Sequence, residues 1–371
     1  MSATAFLAEV ALDDIGPERI IHFYEPKAQL RAVLVIDTAR FGLTAGGVRM
    51  AADLSLDEMV RLARAMTYKF AMLELPCGGA KAGVWLDPSD SARPAVVQAF
   101  LSAIAPYVES RQYLPGADMG TAAADFAPLY AASGRQTNLG EQLFEGAPLE
   151  DQLTGYGVVV AAKTASEALG RTLAGARVAL EGFGKVGAGV AKFLAREGAT
   201  LVAVSNIQGT LEDPDGLDVE RLLALRQEHG DDSLLHYEED TELFPAQMLL
   251  AVAADIVIPG ARPDSIDAEI ATAMPAKLVV PAANIPYAPG VIEVLARRGI
   301  VALPDFVTNA GGVLCGLVEM QGGNADDAFR MTRERISANV GSLFDGAKER
   351  RCSVYDAALQ TVRARLKGIS G

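Results

Sequence analysis

Arg177-Val178-Ala179-Leu180-Glu181 runs directly into Gly182-Phe183-Gly184-Lys185-Val186-Gly187, and a stretch with helical apolar spacing follows from Ala188 to about Arg196. A short strand, a Gly-x-Gly-x-x-Gly turn and a helix, in that order, open a βαβ unit that binds a dinucleotide. Gly182 permits the tight turn, Gly184 lets a pyrophosphate approach the backbone, and Gly187 lets helix and strand pack closely. The helix N-terminus then offers N–H groups and a positive dipole end to the phosphates. The hexapeptide alone is a weak signal, and the apolar run from Thr200 to Ser205, readable as the next strand, strengthens it. Further apolar runs at 254–258, 277–280 and 299–303 supply more buried parallel strands. Each precedes a loop bearing proline, glycine or asparagine, where a doubly wound sheet places its ligands. Asn206 closes the second strand, where NAD-binding units usually carry Asp or Glu. No Lys or Arg stands between Ile207 and Asp213 to pair a 2′-phosphate, and Glu212 and Asp213 add negative charge. The expected cofactor is NAD, with NADP the alternative.

At 371 residues the chain exceeds one ordinary core, and two domains are expected. The first half carries its own chemistry. Residues 30–37 read as a strand rich in β-branched side chains. Thr44-Ala45-Gly46-Gly47-Val48-Arg49 follows, where the glycine pair reads either as a plain turn or bulge or as exposed N–H groups suited to a carboxylate. Ser55-Leu56-Asp57-Glu58 is a capping box opening a helix whose apolar stripe runs through Met59, Leu62, Ala63, Met66 and Phe70. Lys69 sits near its end, either complementing the helix dipole or offering a cation to an anionic substrate.

Twelve positions on, Leu75-Pro76-Cys77-Gly78-Gly79-Ala80-Lys81 places a lysine after two glycines in apolar surroundings. One reading is a surface lysine after a glycine turn. The other is a desolvated ammonium whose pKa falls toward neutrality, where it acts as a base. A second helix is expected from Pro94 to about Ala105, ended by Pro106. Beyond it, Asp118 lies among small residues and reads either as the N-cap of a helix starting near Thr121 or as the acid/base partner of a lysine.

Composition removes several classes. The formal charge of −14 argues against a nucleic-acid or anionic-membrane partner. The stretch Met1 to Glu9 lacks the basic region of a secretory signal, and no apolar run is long enough to span a bilayer. Three scattered cysteines (Cys77, Cys315, Cys352) do not make a disulfide framework, so a reducing cytoplasm is the expected compartment. His22, His229 and His236 show no metal-ligand spacing, and no metal is expected. The acids around the latter two, Asp231, Asp232, Glu238, Glu239 and Asp240, read as a solvated acidic face.

Taken in order, these motifs resemble the amino-acid dehydrogenase superfamily of glutamate, leucine, phenylalanine and valine dehydrogenases. The resemblance runs from about Val33 to Met320. It is carried by Gly46-Gly47-Val-Arg, Lys69, Pro76-x-Gly-Gly-Ala-Lys81, Asp118-Met-Gly-Thr, Thr154-Gly-Tyr-Gly, the glycine fingerprint, Ala283-Asn284, and Pro304-Asp305 through Asn309-Ala-Gly-Gly-Val313. The fold class it implies is α/β with two domains. An N-terminal α/β substrate and oligomerisation domain (1–148 with 335–371) would accompany a doubly wound Rossmann domain (149–334), with the active site in the cleft. The likeness implies that Lys69, Gly46 and Gly47 hold a substrate α-carboxylate, that Lys81 activates water and that Asp118 shuttles protons. Thr154 and Asn284 would position nicotinamide and substrate. Gly182, Phe183, Gly184, Lys185, Val186, Gly187, Asn206, Ala261 and Asn309 would line the cofactor. The implied reaction is reversible oxidative deamination of an L-amino acid to a 2-oxo acid and ammonia, in a homo-oligomer, dimer or octamer. Helical spacing at Phe329, Ile336, Val340 and Leu343 suggests packing or subunit contact in the segment Asp326–Ile369.

Two departures bear on the substrate. Glutamate dehydrogenases of this superfamily carry a lysine just before the glycine pair and a serine seven positions after the asparagine of Asn-Ala-Gly-Gly; here these are Ala45 and Gly316. A side-chain carboxylate would be left unpaired. With Gly116 and Val313, the expected pocket walls are small or apolar, which resembles the leucine and phenylalanine types and suits a bulky apolar or aromatic side chain. Two rival readings stay open: a dinucleotide-binding homologue without turnover, and a two-domain NAD(P) dehydrogenase for a substrate that is not an amino acid.

Overall fold

Two apolar sheets organise the chain. The computed structural model describes residues 12–132, 139–238 and 242–368; the expectations made for Met1 to Glu9, Glu239, Asp240 and Ile369 lie outside them. The described residues form two compact units, 12–132 with 362–368 in one and 139–238 with 242–361 in the other. The second unit starts and ends elsewhere than the expected 149–334. Residues 335–361 fall in it, and the long helix that carries 335–350 packs along a helix of that unit.

In the first unit, strands β1 (Arg19–Glu25), β2 (Leu30–Ile36), β3 (Thr44–Met50), β4 (Gly78–Val84) and β5 (Tyr113–Ala117) form one sheet in the order β1-β2-β4-β3-β5. β1 and β2 are antiparallel, as are β2 and β4, while β3 runs parallel to both β4 and β5. Helices α1 (Leu56–Met72), α2 (Arg93–Glu109) and α3 (Ala123–Ala132) accompany it. The β-branched run at 30–37 is almost wholly buried, with Leu34 and Ile36 at 0% exposure, and packs with Val48, Ala82, Ile104 and Phe126. Ser55 caps α1 as expected, its hydroxyl accepting the Glu58 N–H. α2 runs past the expected stop, with Pro106 inside its last turn.

The second unit begins with a two-residue hairpin, β6 (Leu143–Phe144) and β7 (Ala147–Pro148), and the helix α4 (Leu149–Ala168). Its main sheet comprises β8 (Arg177–Glu181), β9 (Thr200–Asn206), β10 (Gly209–Glu212), β11 (Ile256–Ile258), β12 (Leu278–Val279) and β13 (Val301–Ala302), in the order β10-β9-β8-β11-β12-β13. All neighbours are parallel except the β9–β10 hairpin. Helices α5 (Lys185–Arg196), α6 (Val219–His229), α7 (Ala268–Ala273) and α8 (Val291–Arg297) connect these strands, with 3-10 turns at Gly230–His236 and Ala246–Ala251. The short helix α9 (Asp305–Thr308), then α10 (Gly311–Met320) and α11 (Ala325–Arg350), close the unit, and α12 (Val354–Gly368) carries the chain back to the first. Ile336, Val340 and Leu343 are buried on α11, while Phe329 packs against Phe144, Tyr156 and Phe193. This is the two-domain α/β fold expected, with a Rossmann sheet in the second unit. Among the described residues no helix is long and apolar enough to cross a membrane, and no group of three or more His, Cys, Asp or Glu is arranged to hold a metal.

Candidate active site

The glycine pair before Lys81 serves close packing rather than a turn. Gly78, Gly79 and Lys81 all lie on β4, inside the sheet. A Cβ on Gly79 would stand 2.2 Å from the Ala63 carbonyl of α1, and one on Gly78 would stand 1.8 Å from the Thr38 carbonyl. Only residues without a side chain let helix and neighbouring backbone come this near. Thr67 then locks α1 to β4 and to Asp37 just beyond β2. Its hydroxyl accepts the Gly79 N–H at 3.1 Å and donates to Asp37 at 2.5 Å. Gly46 and Gly47 are likewise in a strand, β3, and not in a turn. A Cβ on Gly46 would overlap the Ala80 carbonyl at 1.6 Å, and one on Gly47 would reach within 3.2 Å of Lys81 Nζ.

Lys81 is buried, with 3% of its side chain exposed, so it is not a surface lysine. Its Nζ lies 2.6 Å from Asp118 Oδ2. Asp118 follows β5 directly and does not cap a helix: α3 begins five residues later, and Asp125 accepts the Ala122 N–H there. The same Oδ2 accepts Arg49 Nε at 3.0 Å, and Arg49 Nη1 continues to Glu58 Oε1 at 2.6 Å. Four charged side chains thus form one chain, Lys81–Asp118–Arg49–Glu58. Both cations contact Oδ2, and among the described residues Asp118 Oδ1 has no partner.

Burial drives the Lys81 pKa down; Asp118 pulls it back up and Arg49 pushes it down again, for a net fall below the usual lysine value. For Asp118, burial alone would raise the pKa, but the Lys81 and Arg49 charges outweigh it and hold the carboxyl well below the carboxylate range. The Arg49 guanidinium, although buried, is held firmly charged by its two carboxylates.

Arg49 and Glu58 are the residues that sequence reasoning missed. Glu58 was read as a capping side chain, but its carboxylate goes to Arg49. The signal was present: side chains alternate across a strand, so Gly47 and Arg49 share a face of β3. Lys69 lies in the last turn of α1 and is buried, at 6% exposure. Arg49 supplies a cation that lowers the Lys81 pKa. Gly116, on β5, pairs with Gly47, and a Cβ built on it would meet nothing within 4 Å; Ala45, half-buried on β3, pairs with Leu114. Cys77 is buried and its thiol is pushed up to about 12, which leaves it unreactive.

In the second unit the glycine fingerprint forms a tight turn from β8 into α5. Gly182 adopts φ +84°, a conformation open to glycine. A Cβ on Gly187 would stand 1.9 Å from the Gly182 carbonyl, whereas one on Gly184 would project into open space. Gly184 caps α5 with no side-chain hydrogen bond, and Lys185 and Val186 form the first turn. Phe183 is buried. Behind the loop, Glu181 accepts the Gly260 N–H at 3.2 Å and the Ser265 hydroxyl at 3.1 Å, with the Ala261 N–H at 3.4 Å.

Asn206 closes β9 as expected, but its amide is already engaged. Nδ2 donates to the Asp231 carbonyl at 2.7 Å, and Oδ1 accepts the Gln208 N–H at 2.9 Å. Thr154 donates back to the Glu150 carbonyl of α4. Asn309 Nδ2 donates to Asn284 Oδ1 at 2.9 Å and to the Ala282 carbonyl at 3.2 Å, while its own buried Oδ1 has no partner. That orphan acceptor, the open Gly184 and the uncapped helix start fit a bound dinucleotide. Val313 and Gly316 stand one turn apart on α10, with open space at Gly316.

One Rossmann unit and one further α/β unit that holds a buried lysine–carboxylate pair define a two-domain dinucleotide-dependent dehydrogenase. Family models carry the assignment further. Residues 146–365 match the Glutamate/Leucine/Phenylalanine/Valine dehydrogenase model, and residues 17–133 match the dimerisation domain of Glu/Leu/Phe/Val dehydrogenases. The chain belongs to this family. It is an NAD(P)-dependent amino-acid dehydrogenase, an oxidoreductase acting on CH–NH2 groups. It is 31% identical to NADP-specific glutamate dehydrogenase A1 of Halobacterium salinarum, over 84% of this chain and 77% of the relative. It is 30% identical to the NAD-specific glutamate dehydrogenase of Staphylococcus aureus, over 85% and 80%.

Among solved structures, hetero-hexameric glutamate dehydrogenase from Thermus thermophilus (Leu bound form) superposes with a TM-score of 0.82 at 24% identity, covering 94% of this chain and 88% of that one. L-tryptophan dehydrogenase from Nostoc punctiforme superposes with a TM-score of 0.67 at 22% identity, covering 98% of each chain. These two show the fold. Both curated relatives named here are glutamate dehydrogenases, so they lend no support to the leucine and phenylalanine likeness expected from Ala45 and Gly116. The membership stands at the level of the family.

Proposed function

We propose that the enzyme carries out NAD-dependent oxidative deamination of an apolar, bulky or aromatic L-amino acid, and the reverse reductive amination. In this reading the first unit handles the amino acid and the second the dinucleotide. The observation that carries the chemistry is the Lys81–Asp118 pair: one buried ammonium with lowered proton affinity, 2.6 Å from a carboxylate that has one oxygen open. Lys69 with the Gly46 and Gly47 backbone holds the substrate α-carboxylate. Asp118 Oδ1 receives the substrate amino group and moves its proton. Deprotonated Lys81 takes a proton from the water that attacks the imine carbon. A tetrahedral carbinolamine results; Asp118 returns a proton to nitrogen, the C–N bond breaks to release ammonia, and the hydroxyl proton passes to solvent as the C=O bond forms. A dinucleotide held by the second unit would supply the acceptor for the hydride of the substrate Cα. Arg49 holds Asp118 in line and keeps it ionised.

The substrate preference rests on Ala45, Gly116, Val313 and Gly316. None of them offers a partner to a side-chain carboxylate, and desolvating an unpaired charge is costly. The preference for NAD rests on the β9 terminus. Asn206 there is joined by Asp231, whose carbonyl it bonds, and by Asp232, whose Oδ1 takes Gln208 Nε2 at 2.6 Å. The Asp232 carboxylate would repel a 2′-phosphate, while that of Asp231 is paired with Arg226 at 3.5 Å. Assembly into a homo-oligomer through the dimerisation domain, in a cytoplasmic setting, completes the proposal. The test is a panel of 2-oxo acids with ammonia and either NADH or NADPH, following oxidation of the reduced cofactor. Ammonia-dependent turnover of large apolar 2-oxo acids with NADH supports it. Turnover confined to 2-oxoglutarate overturns the substrate assignment, and turnover without ammonia overturns the reaction class.

A further inference from the structure

Ile285, the residue after Asn284, has φ +46°. That is the left-handed region, which a β-branched residue rarely enters and which costs most residues free energy. Pro286 follows, and a residue before proline is biased toward extended backbone. Residue 285 is therefore set against its own preference twice, and something must hold it there.

The holding groups are visible. The Ile285 N–H donates to Asp305 Oδ2 at 2.9 Å, and the Ile285 carbonyl accepts the Asp264 N–H at 3.0 Å. Asp305 is 1% exposed and opens the short helix α9. The same turn grips the loop at three further points: Thr308 Oγ1 donates to the Pro281 carbonyl at 2.5 Å, and Asn309 Nδ2 donates to the Ala282 carbonyl and to Asn284 Oδ1. Asn284 Oδ1 is thereby turned inward. Among the described residues Asn284 Nδ2 has no partner, and the neighbouring Asn309 Oδ1 is a buried acceptor with none. A free donor beside an orphan acceptor fits a carboxamide or a hydroxyl, each of which offers both a donor and an acceptor.

We propose that Asp305 is a positioning residue for the dinucleotide. Its carboxylate holds Ile285 in the left-handed conformation and so aims the Asn284 amide at the bound coenzyme. The proposal rests on the reading that Asn284 and Asn309 contact that coenzyme.

The test is calorimetric titration of the full-length protein with NADH, which needs no turnover, with thermal unfolding measured alongside. Asp305→Ala should raise the NADH Kd roughly tenfold, the scale of losing one enforced left-handed residue. Ile285→Gly should bind as wild type. The double variant Ile285→Gly/Asp305→Ala should recover to within about threefold of wild type, because glycine adopts that φ unaided. A purely structural loss at Asp305 would not be repaired by removing the side chain at 285. Asp305→Asn retains an acceptor oxygen and should bind nearly as wild type, which keeps the question open to test should Asp305→Ala fail to fold. Unchanged binding in Asp305→Ala, a double variant no better than the single, or a tenfold loss in Asp305→Asn would each overturn the proposal. Asn284→Ala is the control for the underlying reading: if it binds NADH normally, that reading fails, whereas its loss combined with unaffected Asp305 variants fails the positioning role alone.

Discussion

Asp118 divides its labour between its two oxygens. Oδ2 is saturated by two cations and keeps the carboxyl ionised, while Oδ1 stays open. Lys81 is the more finely balanced partner, because burial and Arg49 lower its proton affinity and Asp118 raises it. The sign of the pH dependence follows. In the proposed mechanism Lys81 works deprotonated, so kcat/KM should rise with pH as it loses its proton, with a midpoint below the ordinary lysine value of about 10.4. In Asp118→Asn the one strong interaction favouring the proton is gone while burial and Arg49 remain. The acid limb should then move to lower pH, and the maximal rate should fall by about 100-fold or more. A pH–rate profile of both proteins checks this, and an unmoved limb would mean that Lys81 is not the titrating base. Gly116→Ala tests the pocket separately. Its new Cβ meets no atom within 4 Å, so the fold should stand while preference shifts toward smaller side chains, read as kcat/KM ratios across the 2-oxo acid panel. Lys81 and Asp118 were legible in the sequence because their type and order are unusual. The duty of Arg49 is not legible in its motif, since a strand residue's partners depend on which strands pair, and Arg49 meets Asp118 only across 69 residues of chain.

At the scale of elements, the first unit depends on how close α1 lies to β4. The distance is set by Gly79 and fastened by Thr67, whose single hydroxyl serves the Gly79 N–H and the buried Asp37. Asp37 also takes both of its oxygens to Arg64 Nε at 2.9 Å. Thr67→Val keeps the shape and removes the hydroxyl. It leaves a buried N–H unpaired and weakens the setting of a buried carboxylate, at a cost of about 1–3 kcal/mol. The expected result is a fall of several degrees in the melting temperature with NADH affinity unchanged. The sequence showed α1, its cap and its apolar stripe, because these are local. It showed the glycines as turn residues, because nothing local distinguishes a glycine that bends the chain from one that makes room for a helix. The Rossmann half was more readable. Its glycines, strand and helix are consecutive, and their contacts close within one βαβ unit. The strained Ile285 left no sequence trace, since isoleucine before proline reads as extended chain.

The two units have separate cores, one around Leu34, Ile36 and Phe126, the other around Val257, Val279 and Leu295. The expected boundary differed from the observed one at both ends. The chain re-enters the first unit only at Val362, in the middle of α12. Apolar periodicity in the C-terminal segment gave the helices but not the partner, since a stripe of Ile336, Val340 and Leu343 fits any apolar surface. Separate cores have a thermodynamic consequence. A ligand held by one unit stabilises the native form of that unit, by about 2.7 kcal/mol at a free concentration of 100 Kd. For a unit of this size, each kcal/mol moves the midpoint by about 2–4 °C. NADH at that level should therefore raise the unfolding transition that contains the second unit by roughly 5–10 °C in scanning calorimetry. Gly187→Ala should show no such shift, because its Cβ would fall 1.9 Å from the Gly182 carbonyl and disrupt the loop proposed to receive the phosphates. If the transition of the wild type does not move with NADH, or moves equally in Gly187→Ala, the glycine loop is not where the coenzyme binds.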